Sequence, residues 1–334
     1  MNNFIRIGCI ALSLLAYQAA LAENPNIGTA GAQFLQIPVG ARATAMGGAV
    51  VGHINDASSL FWNPAGIVGV PSGSLFAGYT SWWASIGLSH AAFVYSIADV
   101  GSFGVSATML GMDAMAVTTE LQPEGTGESF DARDLMVGIS YARRLTDDFS
   151  VGVTAKYVYQ SIWRESASGI AFDVGTQYRI GAGDLTLAMA MTNFGADMKR
   201  DGQDLDIKYD GSSDVPNNRL SPGRLESEEF PLPLQFQVGL SMTVVDLEEV
   251  GVLLAVDVTH PNDTRERVNL GTEVRILQNF FLRGGYRINY DIESGTMGAG
   301  VRVPLGDLRV NFDYAYAIYD MLPSIHRISL GIDF

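Results

Sequence analysis

Residues 308–319 read Leu-Arg-Val-Asn-Phe-Asp-Tyr-Ala-Tyr-Ala-Ile-Tyr, and residues 327–334 read Arg-Ile-Ser-Leu-Gly-Ile-Asp-Phe. In the first stretch Leu308, Val310, Phe312, Tyr314, Tyr316 and Ile318 share one side, opposite Arg309, Asn311 and Asp313. In the second, Ile328, Leu330, Ile332 and Phe334 oppose Arg327, Ser329, Gly331 and Asp333. A side-chain period of two held over such lengths is strand and not helix. The same alternation sets Val268, Leu270, Val274 and Ile276 against Arg267, Asn269, Glu273 and Arg275. It also sets Leu234, Phe236, Val238, Leu240, Met242 and Val244 against Gln235, Gln237, Ser241 and Thr243. The apolar face is nearly free of charge, whereas the opposite face carries arginine and aspartate in mid-strand. A soluble sandwich turns its polar face to water. Here the charges belong on an enclosed side, because Arg275 or Arg283 against lipid near the bilayer midplane costs about 2–4 kcal/mol each.

Outward from these two stretches, alternating segments and turns recur from about Leu75 onward. They number about fourteen, an even count of the kind bacterial outer-membrane barrels have. Connections at 99–100, 146–148, 181–183, 246–249, 277–278 and 305–306 are short; those between them are longer, and 112–132 and 196–230 much longer. Short periplasmic turns and longer extracellular loops are the mark of a membrane barrel. An open sheet edge in hydrocarbon leaves unpaired N–H and C=O groups at several kcal/mol each, so the sheet must close. With an even count both chain ends fall on the periplasmic side. Tyr141, Phe149, Tyr157, Tyr159, Tyr178, Phe280, Tyr290 and Tyr314 fall on the predicted lipid face, and those near strand ends suit interfacial girdles.

Composition agrees with an all-β membrane protein. The chain has 334 residues, 47% of them hydrophobic. Yet outside the extreme N-terminus it has no apolar run of the roughly 18 residues a spanning helix needs. Arg6, the apolar run Ile7 to Leu15 and the small-x-small site Ala20-Leu21-Ala22 predict a cleaved export signal over residues 1–22. Cys9, the single cysteine, lies inside it. The mature chain then has no disulfide and no cysteine-based site. A net charge of −15 makes nucleic acid a poor partner, since phosphate must be neutralised by basic patches. The acid gathers in 112–132 and 196–230. Asp201, Asp204, Asp206, Asp210 and Asp214 lack the ligand spacing and central glycine of an EF-hand, so a solvated loop is expected rather than a metal site. Such acidic loops suit bridging to lipopolysaccharide through divalent cations.

Residues 23–73 differ from the rest. Gly40-Ala41-Arg42 through Gly47-Gly48 is followed by Asp56-Ala57 and by Trp62-Asn63-Pro64-Ala65-Gly66. Asn55 or Asp56 can cap one short helix, Pro64 pushes Asn63 out of the helical region, and Gly47-Gly48 ends an earlier helix. So many small residues allow the close packing a plug in a narrow lumen needs. The sequence therefore predicts 1–22 as signal, 23–73 as a hatch containing short helices, and 74–334 as the antiparallel barrel.

That N-terminal run resembles the signature of the PorV/PorQ family. This family is grouped with the FadL-type outer-membrane barrels, which have about fourteen strands and an N-terminal hatch. The resemblance implies that Arg42, Gly47, Gly48, Asp56, Asn63, Pro64 and Gly66 shape the hatch. It also implies association with type IX secretion, with exported proteins or secretion components bound through extracellular loops. The alternative of a FadL-like uptake channel for fatty acids or aromatics stays open on the residues alone.

Catalysis is not expected. His53, His90, His260 and His326 sit in neither a metalloprotease nor a nucleophile-elbow pattern. No metal or cofactor is expected either. The inward-facing charges Arg267, Glu273, Arg275, Arg283, Arg287, Asp291, Arg309 and Asp313 read as a salt-bridge network holding the hatch to the wall, since both signs interleave. A polar conduit or a carboxylate site is the competing reading, because arginine binds carboxylates bidentately.

Overall fold

A computed structural model describes residues 26–181, 184–209 and 221–334. The predicted signal at 1–22, and Asp210 and Asp214, lie outside them. Fourteen antiparallel strands form a closed barrel. In chain order they begin with β1 (Gly73–Ser81), β2 (Gly87–Ile97), β3 (Gly101–Gly111), β4 (Ala132–Arg144) and β5 (Phe149–Ile162). Next come β6 (Glu165–Ile180), β7 (Leu185–Gly195), β8 (Gln235–Asp246), β9 (Val250–Pro261) and β10 (Arg267–Ile276). The barrel ends with β11 (Phe280–Ile288), β12 (Glu293–Leu305), β13 (Leu308–Tyr319) and β14 (Ile325–Asp333).

Each strand pairs with its sequence neighbour, and β14 pairs with β1 from Ser74↔Asp333 to Ser81↔His326. Gly73 and Phe334 exchange backbone hydrogen bonds at 2.9 and 3.0 Å. The last edge is thereby closed, as hydrocarbon requires. The outer face carries the apolar half of the alternation; Ile139 is 68% exposed, Ile328 57% and Phe312 56%. Arg283 and Arg327, in the opposite phase, are buried inside. That inversion of the usual inside and outside is the physics of a barrel in lipid.

One aromatic departs from the predicted phase. Tyr290 does not face lipid but stacks inside on Arg267 and Arg287, with 4.6 and 5.2 Å between guanidinium carbon and ring centroid. Asn289 takes a left-handed backbone (φ 64°), which ends β11 at Ile288 and reverses the alternation there.

The barrel is not hollow. Short helices at Gln33–Gln36, at α1 (Ala41–Ala45), at Ala57–Phe61 and at Pro64–Gly69 lie inside it. Apolar side chains of this internal segment pack on the wall in several patches, three of them large. Leu60 and Ile67 meet Phe76, Ala92 and Val94; Phe34 meets Met136 and Val158; Met46, Val50 and Ile54 meet Ala255. Met46, Val50, Val51, Ile54, Leu60 and Ile67 are all below 2% exposed. Burial of that kind stabilises by about 1.5–3 kcal/mol per side chain.

Candidate functional site

The internal segment is built by local chemistry and then locked to the wall. Gly47 and Gly48 terminate α1 with φ of 68° and 84°. A Cβ on Gly47 would lie 3.0 Å from the Leu270 carbonyl oxygen and 3.1 Å from the Tyr286 nitrogen. Asp56 caps the Ala57–Phe61 turn by accepting from the Ser58 nitrogen at 2.8 Å and from the Ser58 hydroxyl. Pro64 ends that turn and opens the next, Pro64–Gly69, where it occupies the first position. Gly66 therefore lies within a helical turn rather than in an open one. A Cβ there would stand 2.3 Å from the Ile54 oxygen.

Asn63 is fully buried and fully used. Its Nδ2 donates to the Val51 oxygen at 3.0 Å and to Thr176 of β6 at 3.1 Å, and its Oδ1 accepts from the Ala65 nitrogen at 3.1 Å. The Asn63-Pro64 corner sits in a notch formed by Gly152 and Gly175, which face each other across β5 and β6. On the far wall, Asp257 Oδ2 accepts from the Val50 and Val51 nitrogens at 2.8 and 3.0 Å. Thr296 donates to the Ala45 oxygen at 3.1 Å, and Arg287 Nε to the Gly47 oxygen at 3.0 Å. The segment is thus tied to β6, β9, β11 and β12. Asp257→Ala would strand the buried Val51 N–H at about 1–3 kcal/mol and leave the Val50 N–H only the Gly48 oxygen at 3.1 Å. The expected outcome is a lower urea midpoint for the detergent-solubilised barrel, whereas Asp257→Asn retains an acceptor and loses less.

The eight predicted lumen charges do not form one network. Glu273, Arg283 and Asp313 do come together, and Arg42 joins them from inside. Arg283 reaches Glu273 and Asp313 at 2.6 Å each, and Arg42 reaches Glu273 at 3.1 Å and Asp56 at 3.5 Å. Burial works against the Arg42 charge, but Glu273, Asp56 and Asp313 outweigh it and push its pKa above the ordinary arginine value. The same surroundings act oppositely on His53. Burial, then the Arg42 guanidinium, pull its pKa down to about 3, so the ring is neutral at physiological pH. The other five charges lie elsewhere. Arg275 pairs with Asp246 at the short-turn rim at 2.6 Å, and Arg287 pairs with Glu293. Arg267 stacks on Tyr290. Asp291 lines a chamber on the long-loop side, and Arg309 lines one on the short-turn side.

The long-loop chamber measures about 210 Å³. Phe34, Phe61 and Trp62 contribute to its lining, and Lys156, Asn193, Gln235, Gln237, Arg267 and Arg287 give it a polar wall. Lys156 is held by Asp173 at 2.6 Å and Asn193 at 3.0 Å, where the β6–β7 register shifts between Phe172 and Val174. The histidines form no reactive pairing with a nucleophile. His260 lies 3.1 Å from Glu266, His326 lies 2.7 Å from the Tyr314 hydroxyl, and His90 stacks on Phe76. Among the described residues no group of His, Cys, Asp or Glu is placed to hold a metal.

Residues 20–183, which take in the internal segment and the wall it sits against as far as the end of β6, match the family model described as Type IX secretion system protein PorV. Over these residues, just under half of the chain, it is similar to the PorV family. No curated protein matches it. Among solved structures it is similar to the toluene transporter TodX of Pseudomonas putida, at 13% identity and TM-score 0.58, covering 88% of this chain and 96% of that one. The toluene transporter TbuX of Ralstonia pickettii gives 14% and 0.55, covering 88% and 97%. A FadL homologue of Pseudomonas aeruginosa gives 14% and 0.53, covering 93% and 98%. At such identities the likeness is one of fold. The chain is an outer-membrane barrel of FadL-like architecture, a group that is typically non-enzymatic.

The described parts of the two long loops form short paired ribbons. Met115–Ala116 pairs with Ser129–Phe130, and Leu121 between them is 93% exposed. In the second loop Met198–Gly202 continues the sheet beside β6, and Asp206–Tyr209 pairs with Ser221–Arg224. Arg224 joins Asp201 to Asp206. Sequence reasoning missed the wall glycines, Asp257, Glu293 and the Lys156–Asp173 pair. The glycines alone carried a signal, as small residues on the lumen phase of otherwise alternating strands.

Proposed function

We propose that the protein serves type IX secretion as an outer-membrane docking partner. It would bind exported proteins or secretion components through the extracellular loops 112–132 and 196–230. The observation that carries this reading is the family match over residues 20–183. Two features support the loops as the contact surface. Their described parts form paired ribbons, and 112–132 holds five carboxylates with no Lys or Arg. Loops on a rigid scaffold are where binding residues concentrate. Contact with lipopolysaccharide through the same acidic residues belongs to this proposal. So do the removal of residues 1–22 on export and the role of 23–73 as a hatch.

Uptake of a hydrophobic solute is the second reading, favoured by the fold shared with the toluene transporters. The polar lining of the long-loop chamber weighs against it, because sites for apolar ligands are lined mainly by apolar side chains. Affinity purification from solubilised outer membranes separates the two. Recovery of secreted proteins with the wild type, and its loss when either loop is shortened to a turn, is expected. Recovery of none, together with slower toluene or fatty-acid uptake in a deletion strain, would overturn it. The mass of the purified chain reads whether residues 1–22 are removed.

A further inference from the structure

On the short-turn side of the hatch lies a second chamber, of about 320 Å³. It is bounded by the residues just before β1, the end of β14, and the short-turn ends of β11, β12 and β13, so it opens toward the periplasm. Four arginines line it. Arg42 and Arg283 are engaged by Glu273, Asp56 and Asp313. Among the described residues, Arg302 and Arg309 have no carboxylate partner, in a chain whose net charge is −15.

Arg302 is nevertheless fixed in place. Its Nε donates to Asn311 Oδ1 at 2.9 Å, and its guanidinium carbon lies 4.9 Å from the Phe281 ring centroid. Asn311 is held in turn by Asp333 at 3.2 Å, and Asp333 accepts from Ser74 at 2.8 Å. This chain of contacts orients the guanidinium through Nε and its ring face while leaving the two terminal nitrogens for another group. A planar fork held this way matches a carboxylate, and little ordering cost remains to be met on binding. Arg309 lines the same chamber and adds a second positive charge.

We propose that this chamber is a receptor for the carboxylate of an acidic protein segment that enters the barrel from the periplasm. Asp56, Asp313 and Asp333 also line it, and their repulsion favours a singly charged carboxylate over a phosphate dianion. Its enclosure within the lumen, away from the lipid-facing surface, favours a chain segment over a lipid headgroup.

The test uses the full barrel in nanodiscs and the peptide acetyl-Gly-Ser-Glu-Ser-Gly-amide, whose single carboxylate is the acidic group, with its Gln counterpart as the neutral control. The acidic peptide is expected to bind more tightly than the neutral one. Arg302→Gln combined with Arg309→Gln should weaken it by about tenfold or more, as loss of a bidentate charged contact implies. Arg144→Gln, in a separate pocket at the same end of the barrel, should leave affinity unchanged. If the double variant fails to fold, Arg302→Lys decides alone, since it keeps the charge and loses the fork; weaker binding is expected. Equal binding of the two peptides would overturn the proposal, as would unchanged affinity in the arginine variants. Displacement of the peptide by inorganic phosphate at equal concentration would overturn it in favour of a free-anion site.

Discussion

Gly152→Leu is expected to unseat the hatch while leaving the barrel closed. A Cβ at this position would lie 2.4 Å from the Pro64 carbonyl carbon and 2.5 Å from the Ala65 nitrogen. Both are backbone atoms, so no rotamer change relieves the clash. On the facing strand a Cβ at Gly175 would stand 1.9 Å from Asn63 Oδ1, which closes the notch from the other side. Overpacking a filled interior costs about 1–3 kcal/mol, and more where, as here, backbone blocks relief. The wall has no reason to fail, because its interstrand hydrogen bonds and its apolar belt do not involve the Gly152 side. The internal segment yields instead. In planar bilayers the wild type should pass little ion current, and Gly152→Leu should give discrete open-channel steps approaching those of a variant lacking residues 26–72. Gly284→Leu is the control, since a Cβ there meets nothing within 4 Å. A Gly152→Leu barrel that conducts no more than wild type, while the truncated one conducts well, would sink the account of the notch.

That notch also marks where sequence reading ended. A period of two is local, so the strands over 308–319 and 325–333 were legible, and so was the closed barrel that unpaired edges in lipid demand. Capping chemistry is local as well. Asp56 opens a turn and Pro64 bounds it, because each acts within three residues of itself. The wall glycines were opaque for the opposite reason. Gly152 reads as a weak strand residue until one knows that Pro64, far away in sequence, must approach its backbone. Tyr290 misled because one left-handed residue, Asn289, reverses every later phase until the next strand begins.

The lumen charges show a further limit. Alternation tells which face a side chain takes but not its height along the barrel. Glu273 and Arg275 share a face and lie two residues apart. Yet Glu273 meets Arg42 of the internal segment, while Arg275 meets Asp246 in the short turn. Height depends on strand tilt and register, which are set by pairing across the whole sheet. Nor does face or height say what a charge will meet from inside. Arg42 completes the cluster only because α1 carries it there.

That cluster carries the second large expectation. Arg283→Met should destabilise the barrel by about 3–5 kcal/mol, the usual cost of removing one member of a buried ion pair. Arg283 is 3% exposed at its side chain, and it alone joins Glu273 to Asp313. Without it Glu273 retains Arg42, but Asp313 is left half-buried with no cation in contact among the described residues. Asp313→Asn should cost less, because Arg283 keeps Glu273 as its partner. In the double variant Arg283→Met, Asp313→Asn the orphaned charge disappears, so part of the loss should return. A coupling of about 1–3 kcal/mol between the two sites is expected for side chains in one network. Urea midpoints of the barrel in lipid vesicles provide the four corners of this cycle. Strict additivity would mean that the 2.6 Å contact between β11 and β13 contributes nothing to stability as a pair. The internal segment keeps its own ties, Arg42 to Glu273, Asn63 to Thr176, Val50 and Val51 to Asp257, Ala45 to Thr296 and Gly47 to Arg287, so Arg283→Met should leave ion current through the barrel as low as in the wild type.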